Sequence, residues 1–200
     1  MMKLLLNLKP IHMKKLLTLS IALALALPLL NAQESAFNLG DKVVSLGIGF
    51  GNSLYSGTYY SSGVPPISIN YEQAIVDEIL EKGVIGVGGT VGFTSYKYRY
   101  DWLGGTWGWN YSTFYFGVTG AFHYPLLDKL DTYAGVGLGY RILTTKEYGD
   151  VPGTELSSAS GGFQGAFVVG GRYYFTEKFA AFLQFGYSIA YVNLGISIKL

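Results

Sequence analysis

The sequence predicts an all-β protein: an eight-stranded antiparallel up-and-down β-barrel that spans a lipid bilayer. Eight segments place bulky apolar residues at every second position, with Gly, Ser, Thr or a charged residue between them. Successive side chains of a strand point to opposite faces, so each segment has one apolar and one small or polar face. No stretch after Leu30 is apolar for long enough to form a membrane helix, and the connections alternate between long and short. A chain that spans a bilayer without such a helix must close into a barrel, because lipid cannot satisfy exposed backbone polar groups.

The alternation is clearest in Val84–Thr94. Ile85, Val87, Val91 and Phe93 share one parity, and the positions of the other parity hold glycine or threonine. A soluble sandwich would cover its second face with charge, and a packed core would need larger side chains. An apolar outer face over a small, polar inner face is typical of a barrel in a membrane.

The first four predicted strands carry branched or aromatic residues outward and small residues inward. Their bounds are Lys42–Gly51, Ile67–Ile75, Val84–Tyr96 and Tyr111–Tyr124. Their outward residues outside the third strand are Val44, Leu46, Ile48, Phe50, Ile67, Ile69, Tyr71, Ile75, Phe114, Phe116, Val118, Phe122 and Tyr124. Each segment is about as long as a tilted bilayer crossing of roughly 9–11 residues.

The last four strands repeat the pattern, most plainly in the fifth, where glycine fills the inward positions. Their bounds are Leu130–Leu143, Gly162–Phe175, Phe179–Ser188 and Val192–Leu200. Eight residues on seven of the strands are predicted to face lipid: Val44, Ile48, Val87, Phe116, Val136, Phe167, Phe185 and Ile196.

The connections predict the orientation of the barrel. The short ones are Asp77–Lys82, interpreted as a turn containing one helical turn that Gly83 closes, Pro125–Lys129 and Thr176–Lys178. The long ones are Asn52–Pro66, Tyr98–Asn110 and Thr144–Gly161. Bacterial barrels keep short turns in the periplasm and long loops outside, so both termini are expected in the periplasm. Aromatic residues near the strand ends predict interfacial girdles, with Tyr98, Tyr100, Tyr111 and Phe114 above and Tyr71, Tyr124, Tyr173 and Phe175 below.

Residues 1–32 are predicted to be a signal peptide, and residues 33–200 the barrel domain. Met13, Lys14 and Lys15 form a basic start, and the uncharged run Leu16–Leu30 follows them. This run is about 15 residues long, short of the roughly 20 that a membrane helix needs, which disfavours a permanent anchor. Met13 is interpreted as the functional start, and Ala32 as the last residue of the signal.

Composition excludes several classes of function. The chain has no Cys, so it has no lipid-anchoring Cys, no disulfide and no thiolate metal site. Its formal net charge of +1 becomes −3 once the four lysines of the signal are removed, and no Lys/Arg run remains. Nucleic-acid binding is therefore not expected. A soluble barrel of lipocalin type is the alternative fold, but its outer surface would then consist of Gly, Thr and Ser, with too little charge to keep it solvated.

The chain resembles the small eight-stranded outer-membrane barrels of Gram-negative bacteria, of the OmpX and OmpA transmembrane-domain type. The segments Tyr133–Arg141, Gly171–Phe175 and Leu194–Leu200 are similar to those of the Bacteroidetes branch of porin-like barrels, and the resemblance covers residues 39–200. It implies an outer-membrane location, with membrane lipid, lipopolysaccharide and the barrel-insertion machinery as partners. Such barrels usually end in an aromatic residue, whereas this chain ends in Leu200.

Six polar residues, which the alternation places on the inner face of the barrel, predict an ion-pair network in the periplasmic third of the lumen. They are Asp41, Glu72, His123, Asp131, Arg172 and Lys199. Charges inside a narrow barrel must nearly neutralise one another, and such a network would block free passage. The alternative is that each residue is separately hydrated near the opening.

No catalytic, cofactor-binding or metal site is predicted, and no cofactor is expected. His123 lies at the wrong end for a substrate in the outer leaflet and has no serine beside it in sequence, so the protein is not expected to be an enzyme. The favoured function is a non-enzymatic barrel with a structural and interaction role in the envelope. A narrow pore for small solutes and a lipid-directed barrel enzyme are the alternatives.

The long loops are rich in aromatic residues, and Trp102, Trp107 and Trp109 form the densest patch. Aromatic side chains are enriched at protein interfaces, so this patch is a candidate surface for an extracellular or envelope protein partner. The alternative is that the same rings belong to the upper girdle and contact lipopolysaccharide.

Overall fold

The computed structural model describes residues 35–51, 59–102, 105–149 and 157–200. The predicted signal peptide and a part of each long connection lie outside the described residues. Within the described residues, no helix is long and apolar enough to cross a membrane.

Eight antiparallel strands form one closed ring in which every strand pairs with its neighbours in sequence and β8 pairs with β1. The strands are β1 (Lys42–Phe50), β2 (Tyr60–Ile79), β3 (Gly83–Trp102), β4 (Gly105–Leu127), β5 (Leu130–Gly149), β6 (Ser157–Tyr174), β7 (Phe179–Tyr187) and β8 (Val192–Lys199). The predicted fold class is confirmed, and with it the resemblance to small eight-stranded barrels at the level of the fold.

The strands are of two lengths, a difference that the apolar pattern of the sequence does not predict. β1, β7 and β8 have 8 or 9 residues, whereas β2 to β6 have 18 to 23. Five neighbouring strands therefore continue beyond the rim of the other three, and we call this part the extension. It comprises residues 60–66, 95–102, 105–113, 143–149 and 157–162.

Two predicted loops are wrong because most of their residues belong to the extension. Tyr98–Asn110 is largely the paired ends of β3 and β4, and β5 and β6 enter Thr144–Gly161 from both sides. The alternation continues here, but charged, polar or small residues take most of the outward positions, so the apolar pattern in the sequence stops before the strands end. β-branched and aromatic residues still favour the extended backbone.

The predicted turn Asp77–Lys82 is also shorter than expected and contains no helical turn. β2 continues to Ile79 through two irregularities of register, and residues 80–82 make the connection. Leu80 and Glu81 adopt the left-handed region, with φ of 51° and 76°, which non-glycine residues seldom adopt.

A belt of apolar side chains surrounds the barrel on its outer face. Seven of the eight residues predicted to face lipid are between 40% and 67% exposed, and Val44 is half-buried. The inward neighbours on the same strands, such as Ser45, Ser68 and Val168, are buried. The belt ends at Ile67, Phe93, Phe114, Ile142 and Phe163, where the extension begins.

Candidate functional site

Four of the six residues predicted for the luminal network meet at the end of the barrel that carries the short turns. They are Glu72 on β2, His123 on β4, Asp131 on β5 and Arg172 on β6. β2 and β6 lie opposite each other in a ring of eight strands, so the contact between Glu72 and Arg172 crosses the lumen.

The contacts within this cluster are close. His123 Nδ1 lies 2.7 Å from Asp131 Oδ1, and His123 Nε2 lies 3.0 Å from Glu72 Oε1. Arg172 Nη2 donates a hydrogen bond to Glu72 Oε2, and its Nε lies 3.0 Å from Asp131 Oδ2 in a charge contact without hydrogen-bond geometry. Because ionised carboxylates only accept, an imidazolium satisfies both contacts of His123. Two negative charges then face two positive charges.

The other two predicted residues form a separate pair. Lys199 Nζ lies 2.8 Å from Asp41 Oδ2 and also donates to the carbonyl oxygen of Ala36 at 2.6 Å. The same ammonium lies 5.0 Å from the centre of the Tyr174 ring. The predicted network is thus a cluster of four residues, three of them buried and Glu72 half-buried, with a separate half-buried pair beside it.

Phe37, which sequence reasoning missed, closes this end of the lumen. It precedes the first strand and is only 1% exposed. Its ring centre lies 4.4 Å from that of His123, and the Arg172 guanidinium is held between Phe37 and Tyr133, at 5.1 and 5.0 Å from the two ring centres. A single aromatic residue in a polar segment carries no periodic signal, so only the structure reveals this plug.

A second plug enters from the opposite end. The connection between β7 and β8 folds inward, and Ile189 and Ala190 are buried against Tyr115. Gln164 Nε2 donates to the carbonyl oxygen of Ser188 at 2.7 Å and holds the connection down. A Cβ on Gly92 would lie 2.4 Å from Ile189 Cδ1, so this inward glycine makes room for the plug.

A polar cavity of about 70 Å³ lies between the two plugs. Its lining includes Asn70, Thr90, Gln184 and Asn193. Thr90 Oγ1 donates to Asn70 Oδ1 at 2.6 Å, whereas Asn193 Oδ1 is buried and has no hydrogen-bond partner in the part of the chain that the structure describes. A polar space of this size suits a few water molecules.

The inner face of the extension, above the second plug, is lined with aromatic rings. Strand register pairs Tyr98 with Trp109 and Tyr100 with Trp107 on the face that continues the lumen wall. The Trp107 and Trp109 ring centres lie 3.9 Å apart, and those of Tyr98 and Trp109 lie 5.5 Å apart. Trp107 Nε1 donates to Glu147 Oε1 at 2.5 Å.

The girdle interpretation is therefore wrong for five aromatic residues, because they lie at strand positions that face the lumen and not the lipid. They are Tyr98, Tyr100, Trp107, Trp109 and Tyr111. The Trp102 side chain lies outside what the structure describes, so the girdle interpretation of Trp102 stays untested. Phe114, Tyr71, Tyr173 and Phe175 do lie exposed on the outer face, as a girdle requires.

The outer face of the extension is polar. Lys97, Arg99 and Asp101 of β3 alternate with the inward rings, and Lys146 continues this face on β5. Arg99 Nε donates to Asp101 Oδ1 at 3.0 Å, and this bond, with a second from Thr106, lowers the pKa of Asp101. An outer face of this composition suits water better than hydrocarbon.

Within the part of the chain that the structure describes, no group of His, Asp and Glu side chains is arranged to hold a metal ion. The candidate sites are therefore the plugged lumen and the aromatic face of the extension.

No protein-family model and no curated protein matches this chain. Among solved structures it is similar to Ail, the attachment invasion locus protein of Yersinia pestis, with 13% identity, a TM-score of 0.44, and coverage of 81% of this chain and 96% of that one. Ail in complex with the heparin analogue sucrose octasulfate gives 12% identity and a TM-score of 0.45, with the same coverage. The N-terminal β-barrel domain of Pseudomonas aeruginosa OprF gives 15% identity and a TM-score of 0.40, covering 80% of this chain and 97% of that one.

Proposed function

We propose that this chain is a non-enzymatic integral protein of the bacterial outer membrane. Its closed barrel is a scaffold in the envelope, and its extension presents an interaction surface outside the cell. Both termini and the short turns then face the periplasm, and lipid, lipopolysaccharide and the insertion machinery are its partners during assembly.

The apolar belt supports the membrane location. Large apolar side chains such as Val118, Val136 and Phe163 are between 65% and 79% exposed, and comparable residues stand outward on the other strands. Exposing an apolar belt of this extent to water is unfavourable, whereas the hydrocarbon of a bilayer can cover it. The polar outer face of the extension then lies beyond the membrane.

The two plugs weigh against the alternative of a pore. Phe37 and the four-residue cluster close one end, and Ile189 with Tyr115 closes the other. The cavity of about 70 Å³ between them is much smaller than a sugar needs.

The surroundings of His123 weigh against an enzyme. Both of its ring nitrogens face carboxylate oxygens, so neither is left to take a proton from a serine or threonine nucleophile. It is also buried at the end opposite to the extension, away from a substrate in the outer leaflet.

The placement of Trp107 and Trp109 carries the proposal of an interaction role. They stand on the inner face of the extension, beyond the belt and away from lipid. β7, β8 and β1 end below this level, so among the described residues no strand covers that side of the face. Tyrosine and tryptophan supply large contact areas at low entropic cost, which explains their enrichment in binding hot spots.

The test is photo-crosslinking on intact cells from a benzoylphenylalanine at position 158, an exposed position on the extension. We expect a crosslinked partner with the wild-type face and none with Trp107→Ser/Trp109→Ser. The control is Lys97→Ser/Lys146→Ser, which changes the outer face at a similar height and should keep the crosslink. Equal crosslinking by both double variants would contradict the proposal.

A further inference from the structure

Glu147 places a carboxylate on the inner face of the extension. Its Oε1 accepts the hydrogen bond from Trp107, and its Oε2 is buried with no hydrogen-bond partner among the described residues. Among the described residues, none of the ion pairs includes Glu147. Burying an unpaired carboxylate oxygen is unfavourable, so this atom indicates a missing partner that donates hydrogen bonds.

Aromatic rings surround the carboxylate. Trp109 is its cross-strand partner, Trp107 stands edge-on to Trp109, and Tyr98 packs on the other side of Trp109. The face of an aromatic ring carries negative charge density, so rings beside a carboxylate attract a cation from two directions.

The basic residues of the extension do not supply this cation. Lys97, Arg99 and Lys146 have outward parity, opposite to that of Glu147, and Arg99 is already paired with Asp101. The inner face is therefore aromatic and locally acidic, while the outer face is basic. A ligand that complements the inner face carries positive charge and flat or apolar surface.

We propose that Glu147, Trp107, Trp109 and Tyr98 form a receptor for a lysine or arginine side chain that a protein partner inserts into the extension. This inference rests on the proposed function and names the chemistry of its partner. Tyr59, Tyr60 and Tyr100 continue the aromatic surface beyond these four residues, since Tyr59 contacts both Tyr98 and Tyr100, and Tyr60 contacts Tyr98. A small free amine would leave these rings uncovered, whereas a protein segment with a basic anchor covers them.

Arginine fits this receptor better than lysine. A guanidinium is planar, so it stacks on an indole face while its N–H groups reach a carboxylate, whereas an ammonium has no flat face. The free Oε2 of Glu147 provides the acceptor, and the Trp107–Oε1 bond holds the carboxylate in place.

The test uses blocked pentapeptides of glycine with one central residue, added to the full barrel refolded in lipid nanodiscs. Tryptophan fluorescence reports binding, because all three Trp residues of the chain lie at positions 102, 107 and 109. We expect saturable binding of the arginine peptide, weaker binding of the lysine peptide, and none of the citrulline peptide, which keeps the shape of arginine without its charge.

Glu147→Gln should lower the affinity for the arginine peptide about tenfold, a change typical of losing one charge-assisted contact. Asp101→Asn is the matched control, since it removes a carboxylate from the outer face of the same extension and should leave binding unchanged. Glu147→Asp shortens the side chain but keeps its charge, and should recover part of the affinity. A heat-dependent shift of migration on gels reports whether each variant folds.

Equal binding of the arginine and citrulline peptides, or unchanged binding by a folded Glu147→Gln variant, would overturn the inference. The two proposals fail in different ways. If cellular crosslinking requires Trp107 and Trp109 but is unaffected by Glu147→Gln, the interaction role stands and the cation receptor does not. If the crosslink survives the double tryptophan change while peptide binding is lost, the proposed cellular role fails.

Discussion

Arg172→Ala tests whether the buried cluster stabilises the barrel. Its guanidinium contacts Glu72 and Asp131, with side chains 18% and 2% exposed, and is itself 3% exposed. Removing one partner of a buried ion pair leaves uncompensated charge and typically costs about 3–5 kcal/mol. Here it leaves two carboxylates with His123 alone and removes the cation held between Phe37 and Tyr133. We therefore expect a loss of about 3–5 kcal/mol in the free energy of unfolding.

The assay is equilibrium urea unfolding in lipid vesicles, followed by tryptophan fluorescence. Arg99→Ala is the matched control because the Arg99–Asp101 pair is about 60% exposed on both sides. Solvent screens such an exposed pair, so its loss should change the stability little. A loss below about 1 kcal/mol for Arg172→Ala would refute the reasoning and favour separately hydrated residues near the opening.

Three further predictions concern the belt, the first plug and the lumen. Val136→Arg should lower the free energy of unfolding by about 2–4 kcal/mol, because it places a charge on the lipid-facing belt. In the same assay Thr119→Ser, on the inner face, should change the free energy of unfolding little. Equal losses for the two variants would contradict the assigned faces. Inward Gly137 is no neutral control, since its Cβ would lie 2.3 Å from the Val118 carbonyl oxygen. Phe37→Ala should lower the free energy of unfolding by about 3–5 kcal/mol. Leu39→Ala, at a 53% exposed position in the same segment, should leave it nearly unchanged. Similar losses for the two variants would argue against the plug. Planar-bilayer recordings of the wild-type barrel should show no stable conductance steps, and large reproducible openings would favour the pore.

Alternation alone was sufficient to predict the fold and the faces of the strands. It was sufficient because lipid outside and small polar groups inside impose opposite chemistry on neighbouring residues such as Val136 and Gly137. It failed at the extension, where water replaces lipid and Lys97, Arg99 and Asp101 take the outward positions. Parity also identifies inward residues without their partners, so it grouped Asp41 and Lys199 with a cluster to which they do not belong.

The plugs could not be predicted because they depend on irregular backbone. Phe37 precedes the first strand, and Ile189 lies in a connection that folds into the lumen. Inward glycines gave a partial signal, since Gly92 and Gly49 leave space that only the structure shows to be filled by Ile189 and Ala190. The tryptophan patch was predicted from composition, but its acidic partner Glu147 was not, because the two come together only through strand pairing.

Cysteine labelling on intact cells tests the central claim most directly, because the chain has no cysteine of its own. Ser158→Cys lies exposed on the extension, and Glu177→Cys lies exposed in the short turn between β6 and β7. A maleimide that cannot cross the outer membrane should label Ser158→Cys on whole cells and Glu177→Cys only after the envelope is opened. Labelling of Glu177→Cys alone on intact cells, or equal labelling of both variants, would contradict a membrane-spanning barrel whose extension faces outward.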